Sequence, residues 1–145
     1  MNDFIETLLN VSRIESDTLF IDQEPMDVGI EVKNIVDEMK LEIKNKKLNL
    51  VSEYVNPLPI VVLDEKIFKL IFRNLLSNAI RYTEEGGSIV IEIAKRGNVL
   101  DICVEDSGCG IPKADQDKIF HKLYRSSNVS DGKIKGSGLG LFIVK

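Results

Sequence analysis

The sequence has no tryptophan, a single histidine and only two cysteines. The cysteines, Cys103 and Cys109, do not form a CxxC pair, and one histidine cannot complete a tetrahedral set around them. That excludes a structural zinc site and leaves two reduced thiols as the reading. Excess positive charge is also absent. The formal net charge is -4, whereas binding to a phosphate backbone needs a basic surface, so no nucleic-acid partner is expected. No apolar run approaches the roughly 18 residues of a membrane span. The start, Met1-Asn2-Asp3-Phe4, lacks a basic lead into an apolar stretch, so no signal peptide is expected. Neither an internal repeat nor a low-complexity segment interrupts the chain. What is present is a globular balance of 43% hydrophobic and 29% charged residues over 145 positions. That is the size of one ordinary domain, able to bury a core without disulfides.

Residues 2–19 carry Phe4, Ile5, Leu8, Leu9, Val11 and Ile14 at helical spacing, a stripe for core or for a partner helix. Residues 19–25 alternate and end at Pro25, which predicts a short strand. Asp27 can cap a helix running to about Lys46, with Val28, Val32, Ile35, Val36, Met39 and Ile43 inward. Residues 48–54 alternate as a strand, and Ile60 to Leu63 reads as a short buried strand. Asp64 then caps a helix over 65–82. Residues 88–95 and 98–105 form a strand pair with Arg96-Gly97-Asn98 at the tip. A short helix around 113–123, a polar stretch to 137 and a new helix start at Gly138 follow. Strands and helices mix without regular alternation. The fold class expected is α+β, a two-layer arrangement of a mixed sheet covered on one face by helices.

Three groups of residues can carry chemistry. On the 65–82 helix, Asn78 lies about 40° from Asn74 and Arg81 about 20° to the other side, with Tyr82 next in sequence. The polar stripe faces either solvent or a ligand. Asparagine oxygen suits Mg²⁺, and Arg81 suits phosphate. Next, Asp106-Ser107-Gly108-Cys109-Gly110 ends a strand. Asp106 either caps backbone amides or accepts from the exocyclic amine of a purine, and the glycines let backbone approach a flat ligand. Third, Gly136-Ser137-Gly138-Leu139-Gly140-Leu141 opens a helix, and free N–H groups at a helix start attract phosphate. The spacing is neither the dinucleotide fingerprint nor the P-loop. Lys133 and Lys135 just before it either reach phosphate or stay solvated.

In order, Asn-Leu-Leu-Ser-Asn-Ala-Ile-Arg-Tyr-Thr (74–83), Asp-Ser-Gly-Cys-Gly-Ile-Pro (106–112), Ile-Phe-His-Lys-Leu-Tyr-Arg (119–125) and Gly-Ser-Gly-Leu-Gly-Leu (136–141) resemble the N, G1, F and G2 boxes of sensor histidine kinases. Residues 1–19 are similar to the last turns of the family's second dimerization helix, and 20–145 to its catalytic ATP-binding domain, here incomplete beyond the G2 box. The resemblance implies ATP and Mg²⁺ as cofactors. It implies that Asn78 binds Mg²⁺ with Asn74 beside it, that Arg81 (usually lysine in the family) contacts phosphate, and that Tyr82 lines the site. Asp106 would take the adenine amine, with Gly108 and Gly110 shaping the pocket. Phe120 would anchor an ATP lid over about 113–137, Arg125 would approach the γ-phosphate, and Gly136, Gly138, Leu139 and Gly140 would form the lid hinge and phosphate-facing helix start. Leu123 stands where the F box usually has a second aromatic.

The same fold serves ATPases in which a glutamate four residues before the magnesium asparagine activates water. Here that position is Asn74, and an amide cannot accept a proton at neutral pH. Transfer to an outside nucleophile is therefore expected over hydrolysis. An ATP-binding regulator without kinase activity and a hydrolase of the wider superfamily are the alternatives. His121 is followed by Lys122-Leu123-Tyr124 and falls inside the F box, so it is not the expected acceptor. The resemblance implies partners: the dimerization domain of the same kinase, a response regulator receiver domain and a second copy in a full-length homodimer. It also implies a cytoplasmic domain of a membrane-anchored sensor. The strand at 98–105 is expected to show an open edge.

Overall fold

A computed structural model describes residues 8, 9, 11, 12, 16, 20–54, 58–129 and 136–145. Residues 8, 9, 11 and 12 are helical; the rest of the helix read over 2–19 lies outside the described residues, as do Lys133 and Lys135. The chain divides into two compact units, one of Asp22–Cys109 and one of Met1–Ile21 with Gly110–Lys145.

Within Asp22–Cys109 the elements run β1 (Glu24–Asp27), α1 (Val28–Glu38), α2 (Lys40–Asn45), β2 (Asn49–Tyr54), β3 (Ile60–Leu63), α3 (Glu65–Tyr82), β4 (Ser88–Arg96) and β5 (Val99–Asp106). β1 pairs antiparallel with β3. β2 pairs parallel with β4, and β4 pairs antiparallel with β5, giving a mixed sheet ordered β2-β4-β5. The class is α+β, as expected. β5 has β4 as its hydrogen-bonded neighbour in that sheet.

The alternation of β4 explains the layering. Ile89, Ile91 and Ile93 point to one face and are buried, with Val104 and Ile102 of β5 opposite Ile91 and Ile93. Helix α3 supplies Phe68, Phe72, Leu76, Ala79 and Ile80, and α1 supplies Val28, Val32 and Ile35, all within one core cluster. Phe72, Leu76, Ile35 and Ile91 are wholly buried. The rings of Phe68 and Phe72 stack with centroids 6.0 Å apart.

Caps set the starts of both long helices. Asp27 Oδ1 accepts the Ile30 N–H at 3.1 Å. Asp64 Oδ1 accepts the N–H groups of Lys66 and Ile67 at 2.9 and 3.0 Å, and Oδ2 accepts Asp22 N–H at 2.7 Å. The Asp22, Ile67 and Lys66 amides hold the Asp64 carboxyl below its ordinary value, because they favour the charged form.

Four sequence expectations need correction. The strand read over 19–25 forms at Glu24–Asp27, set by antiparallel pairing with β3 that includes Pro25↔Val62. The helix read to Lys46 is divided at Met39, which has φ -91° and ψ 1°; the helical bond from Ile43 N–H to Met39 O still forms at 3.1 Å. β3 is not buried: Ile60 and Val62 are 65% and 60% exposed, because an apolar quartet says nothing about whether a second layer covers its outer face. Residues 113–120 form successive turns rather than a helix.

The exit from α2 also departs from habit. Lys47, at φ 53°, occupies the left-handed position usually given to glycine. Lys47 N–H bonds Lys44 O and Leu48 N–H bonds Ile43 O, both at 3.0 Å, a paired closure that satisfies the last carbonyls and turns the chain into β2.

Candidate functional site

The site begins at the C-terminal end of α3, where helix carbonyls would otherwise lack partners. Lys46 reaches across to fill that need. Its Nζ donates to Ile80 O at 2.8 Å and to Arg81 O and Thr83 O at 2.9 Å each. Thr83 is buried and its Oγ1 donates to Ala79 O at 2.6 Å. The last turn, with exposed Arg81 and half-buried Tyr82, is thus fixed from two sides. A cation at a helix C-terminus also meets the negative end of the dipole.

One turn earlier, Asn74 and Asn78 are half-buried. The Asn74 amide donates through Nδ2 to Leu70 O at 2.8 Å, which leaves Oδ1 as its acceptor. Oxygen, not nitrogen, is therefore what Asn74 has to offer a hard cation or a hydroxyl. Among the described residues no cluster of three His, Cys, Asp or Glu side chains can hold a metal. A divalent ion on this face would depend on amide oxygens together with phosphate oxygens, which is how Mg²⁺ is commonly held.

β5 delivers the second part. Ser107 N–H bonds Ser88 O at 3.0 Å, and its Oγ accepts the Ser88 N–H at 2.9 Å, extending the ladder past the strand end. Asp106 is exposed, and its Oδ1 accepts the Gly108 N–H at 2.9 Å. The capping reading of Asp106 is thus realised, yet with one oxygen only. Gly108 lies flat on the end of α3. A Cβ there would collide with Tyr82 O, stand 2.8 Å from Tyr82 C and 2.6 Å from Asp106 Oδ1. Only glycine fits this close approach. The structure therefore brings Tyr82, Asp106 and Gly108 together, with Asn74, Asn78 and Arg81 on the same helix.

The unit containing Gly110–Lys145 holds the remaining sequence candidates. Gly110 has φ +64°, and its carbonyl accepts Asn128 Nδ2 at 3.0 Å. Phe120 and Arg125 are half-buried. Leu123, at the departure from the F box, is 61% exposed and has φ 62°. Its N–H donates to Gly138 O at 3.0 Å. Gly138, at φ +69°, packs so closely that a Cβ would stand 2.8 Å from Leu123 C and 2.9 Å from Tyr124 O. Gly136 and Gly140 are half-buried and Leu139 is buried. Helix α4 (Gly140–Val144) follows Leu139 as its N-cap, without a side-chain cap bond, so its first residue falls two positions later than the sequence suggests.

Sequence reasoning missed Lys46 and a buried carboxylate, Asp115. Asp115 is 6% exposed. Oδ1 accepts the Tyr124 hydroxyl at 2.7 Å; Oδ2 accepts the hydroxyls of Ser126 and Ser127 at 2.6 and 3.0 Å and the Ser127 N–H at 2.9 Å. The Ser126 hydroxyl, the Ser127 amide and the Tyr124 hydroxyl hold the carboxyl far below the usual carboxylate range. The same carboxylate pushes the Tyr124 phenol up. A lone acid nine to twelve residues before its hydroxyl partners matches no periodic pattern, so no sequence signal marks it.

Against this geometry the relatives can be set. The profile of the family described as "Histidine kinase-, DNA gyrase B-, and HSP90-like ATPase" matches residues 63–145. The sensor-like histidine kinase SenX3 of Mycolicibacterium smegmatis is 33% identical over 143 residues, covering 99% of this chain and 37% of that protein. The chain spans about a third of the length of such curated relatives. Among solved structures, the catalytic domain of histidine kinase ThkA matches with TM-score 0.74 at 25% identity, over 84% of this chain and 76% of that one. Full-length ShkA in complex with AMPPNP matches with TM-score 0.81 at 21% identity, over 98% of this chain and 29% of that one. A structure of ThkA with the response regulator protein TrrA has TM-score 0.71 at 21% identity, over 86% and 38% of the two chains. With more than half of its residues under that profile, the chain belongs to the histidine kinase-, DNA gyrase B- and HSP90-like ATPase family.

Proposed function

We propose that the chain binds Mg-ATP and that, in the full-length protein, the γ-phosphoryl group passes to a histidine of the dimerization domain in two-component signal transduction. The observation that carries this reading is the seating of Gly108 on Tyr82 with Asp106 alongside. It sets an exposed carboxylate and a strip of bare backbone at the end of a helix bearing Asn74, Asn78 and Arg81. Asp106, with Oδ1 engaged by Gly108, offers Oδ2 to the exocyclic amine of adenine; guanine would present a carbonyl there and leave two acceptors face to face. Gly108 and Gly110 leave room for the base, and Tyr82 lines it. Asn78, with Asn74 beside it, supplies amide oxygen to the ion, and Arg81 faces phosphate. When bound, Mg²⁺ neutralises charge on the phosphate oxygens.

Phe120 anchors the lid, Arg125 approaches the γ-phosphate, and Gly136, Gly138, Leu139 and Gly140, with Lys133 and Lys135, serve the phosphates. Asn74 cannot take a proton from water, so the outside acceptor is the imidazole of a second domain, with ADP leaving. Onward partners are a response regulator receiver domain and a second copy of the full-length protein, a membrane-anchored sensor in which this chain is a cytoplasmic domain. The likeness to SenX3 and the ThkA–TrrA pair supports this. Among the described residues, no helix is long and apolar enough to cross a membrane.

The test compares Mg-ATP with Mg-GTP binding, ATP hydrolysis, and phosphate transfer to an added dimerization domain. ATP preference with transfer and without appreciable hydrolysis is expected. Hydrolysis with no transfer would make the chain an ATPase, and binding without either would make it a regulator. Asp106→Asn should weaken ATP binding by about 1.5–3 kcal/mol; unchanged affinity removes Asp106 from its role.

A further inference from the structure

Arg125 is half-buried, with half-buried Tyr124 on one side and the small residues Ser126 and Ser127 on the other. Polar ties to one carboxylate hold this stretch. Asp115 bonds Tyr124 through Oδ1 and both Ser126 and Ser127 through Oδ2. Its carboxylate therefore grips the chain on both sides of Arg125 and spans it. The acid is itself anchored. Asp115 N–H bonds Pro112 O at 2.9 Å, and its carbonyl accepts Lys118 N–H at 2.8 Å and Ile119 N–H at 3.1 Å. A further tie comes from the glycine-rich end, where Leu123 N–H meets Gly138 O and Gly138 lies against Leu123 and Tyr124.

We infer that Asp115 is a positioning residue for Arg125: by clamping Tyr124, Ser126 and Ser127 it fixes the backbone from which the guanidinium reaches the terminal phosphate. The inference rests on the proposed ATP-binding function and deepens it. A carboxylate is suited to this task because all four donors point at an acceptor-only group, whose charge strengthens each bond. An amide in its place would set an NH₂ against hydroxyl and backbone donors. Backbone held this way fixes the point from which the arginine side chain departs, so preorganisation rather than direct contact is what Asp115 contributes.

The test reads the ratio of ATP to ADP affinity by calorimetry with Mg²⁺ on the whole chain, since only the γ-phosphate separates the two ligands. Arg125→Ala should lose most of that ratio, about tenfold for one charge-assisted contact. Asp115→Asn should lower the same ratio by several-fold while ADP affinity stays as in the unaltered chain. If Arg125→Ala leaves the ratio unchanged, the assignment of Arg125 to the γ-phosphate fails, and the inference fails with it. If Arg125→Ala removes the ratio but Asp115→Asn does not, the inference alone is overturned. Equal loss of ATP and ADP affinity in Asp115→Asn also overturns it, because that is what a merely structural role produces. Should Asp115→Asn not fold, the double variant Tyr124→Phe/Ser126→Ala, which removes two donors and keeps the charge, gives the decision by the same criterion.

Discussion

The two units of the chain combine apolar burial and polar ties in different proportions. Asp22–Cys109 is organised around apolar burial, with Phe72, Leu76, Ile35, Ile89 and Ile91 fully enclosed and a hydrogen-bonded sheet behind them. Gly110–Lys145 buries Leu139 and Ile143 as well, and adds polar ties: one carboxylate with its hydroxyl and amide donors, and a glycine laid against backbone. Burial is non-directional and tolerates small displacements, whereas a hydrogen-bonded clamp holds only at one geometry. The first kind of unit suits a fixed platform for a base. On the proposed reading, the second suits a segment whose exact placement of Arg125 matters more than its total stability.

The contrast is open to direct attack, and the largest effect belongs to the core. Phe72→Ala should destabilise the chain by about 3–5 kcal/mol, read by urea unfolding; a much smaller loss would mean the core is looser than its full burial of Phe72 implies. Lys46→Met should cost roughly 1–3 kcal/mol, because the carbonyls of Ile80, Arg81 and Thr83 lose a charged donor. Nucleotide affinity should fall with it, since the turn bearing Arg81 and Tyr82 loosens. Loss of stability with affinity intact would separate the cap from the site.

In the polar unit, Gly138→Ala forces a side chain into a left-handed position at φ +69°, a cost of about 1–2 kcal/mol before any clash is counted. Local hydrogen exchange at Leu123 N–H should rise, and unchanged protection would show that Gly138 O is not its partner in solution. The smallest effect is a pH dependence. Asp115 has its folded value depressed, so its contribution is fully present above the unfolded carboxyl value of 3.8 and is lost as pH falls below it. The stability difference between the unaltered chain and Asp115→Asn should therefore shrink between about pH 5 and pH 1. A difference that stays constant through that window would show that charge on Asp115 does not hold the clamp.

Much of the platform was legible beforehand because its signals are local and periodic. Asp27 and Asp64 precede apolar helical stripes, and both cap as expected. The isoleucines of β4 alternate and all face inward. The candidate site was legible as an order of short motifs, and the close approach at Gly108 follows from a glycine placed after a strand. The misreadings have physical reasons too. The exposed face of β3 depends on what covers it, which no pattern of four residues encodes. The turns at 113–120 carry helix-compatible residues, but the Asp115 carboxylate is engaged by Tyr124, Ser126 and Ser127, partners that a regular helix would not bring to it.

What the residues alone determined is most of the elements and the chemical kinds of the candidate site: two amides and an arginine on one helix, an acid at a strand end, glycines where backbone must pass closely. These depend on spacing within a few residues, where the chain's geometry is fixed by its bonds. Only the tertiary structure decided which groups serve the others. Lys46 finds carbonyls some 35 residues away, and Asp115 finds its hydroxyls across a non-periodic loop, because long-range hydrogen bonds are chosen by the folded path of the chain rather than by local sequence.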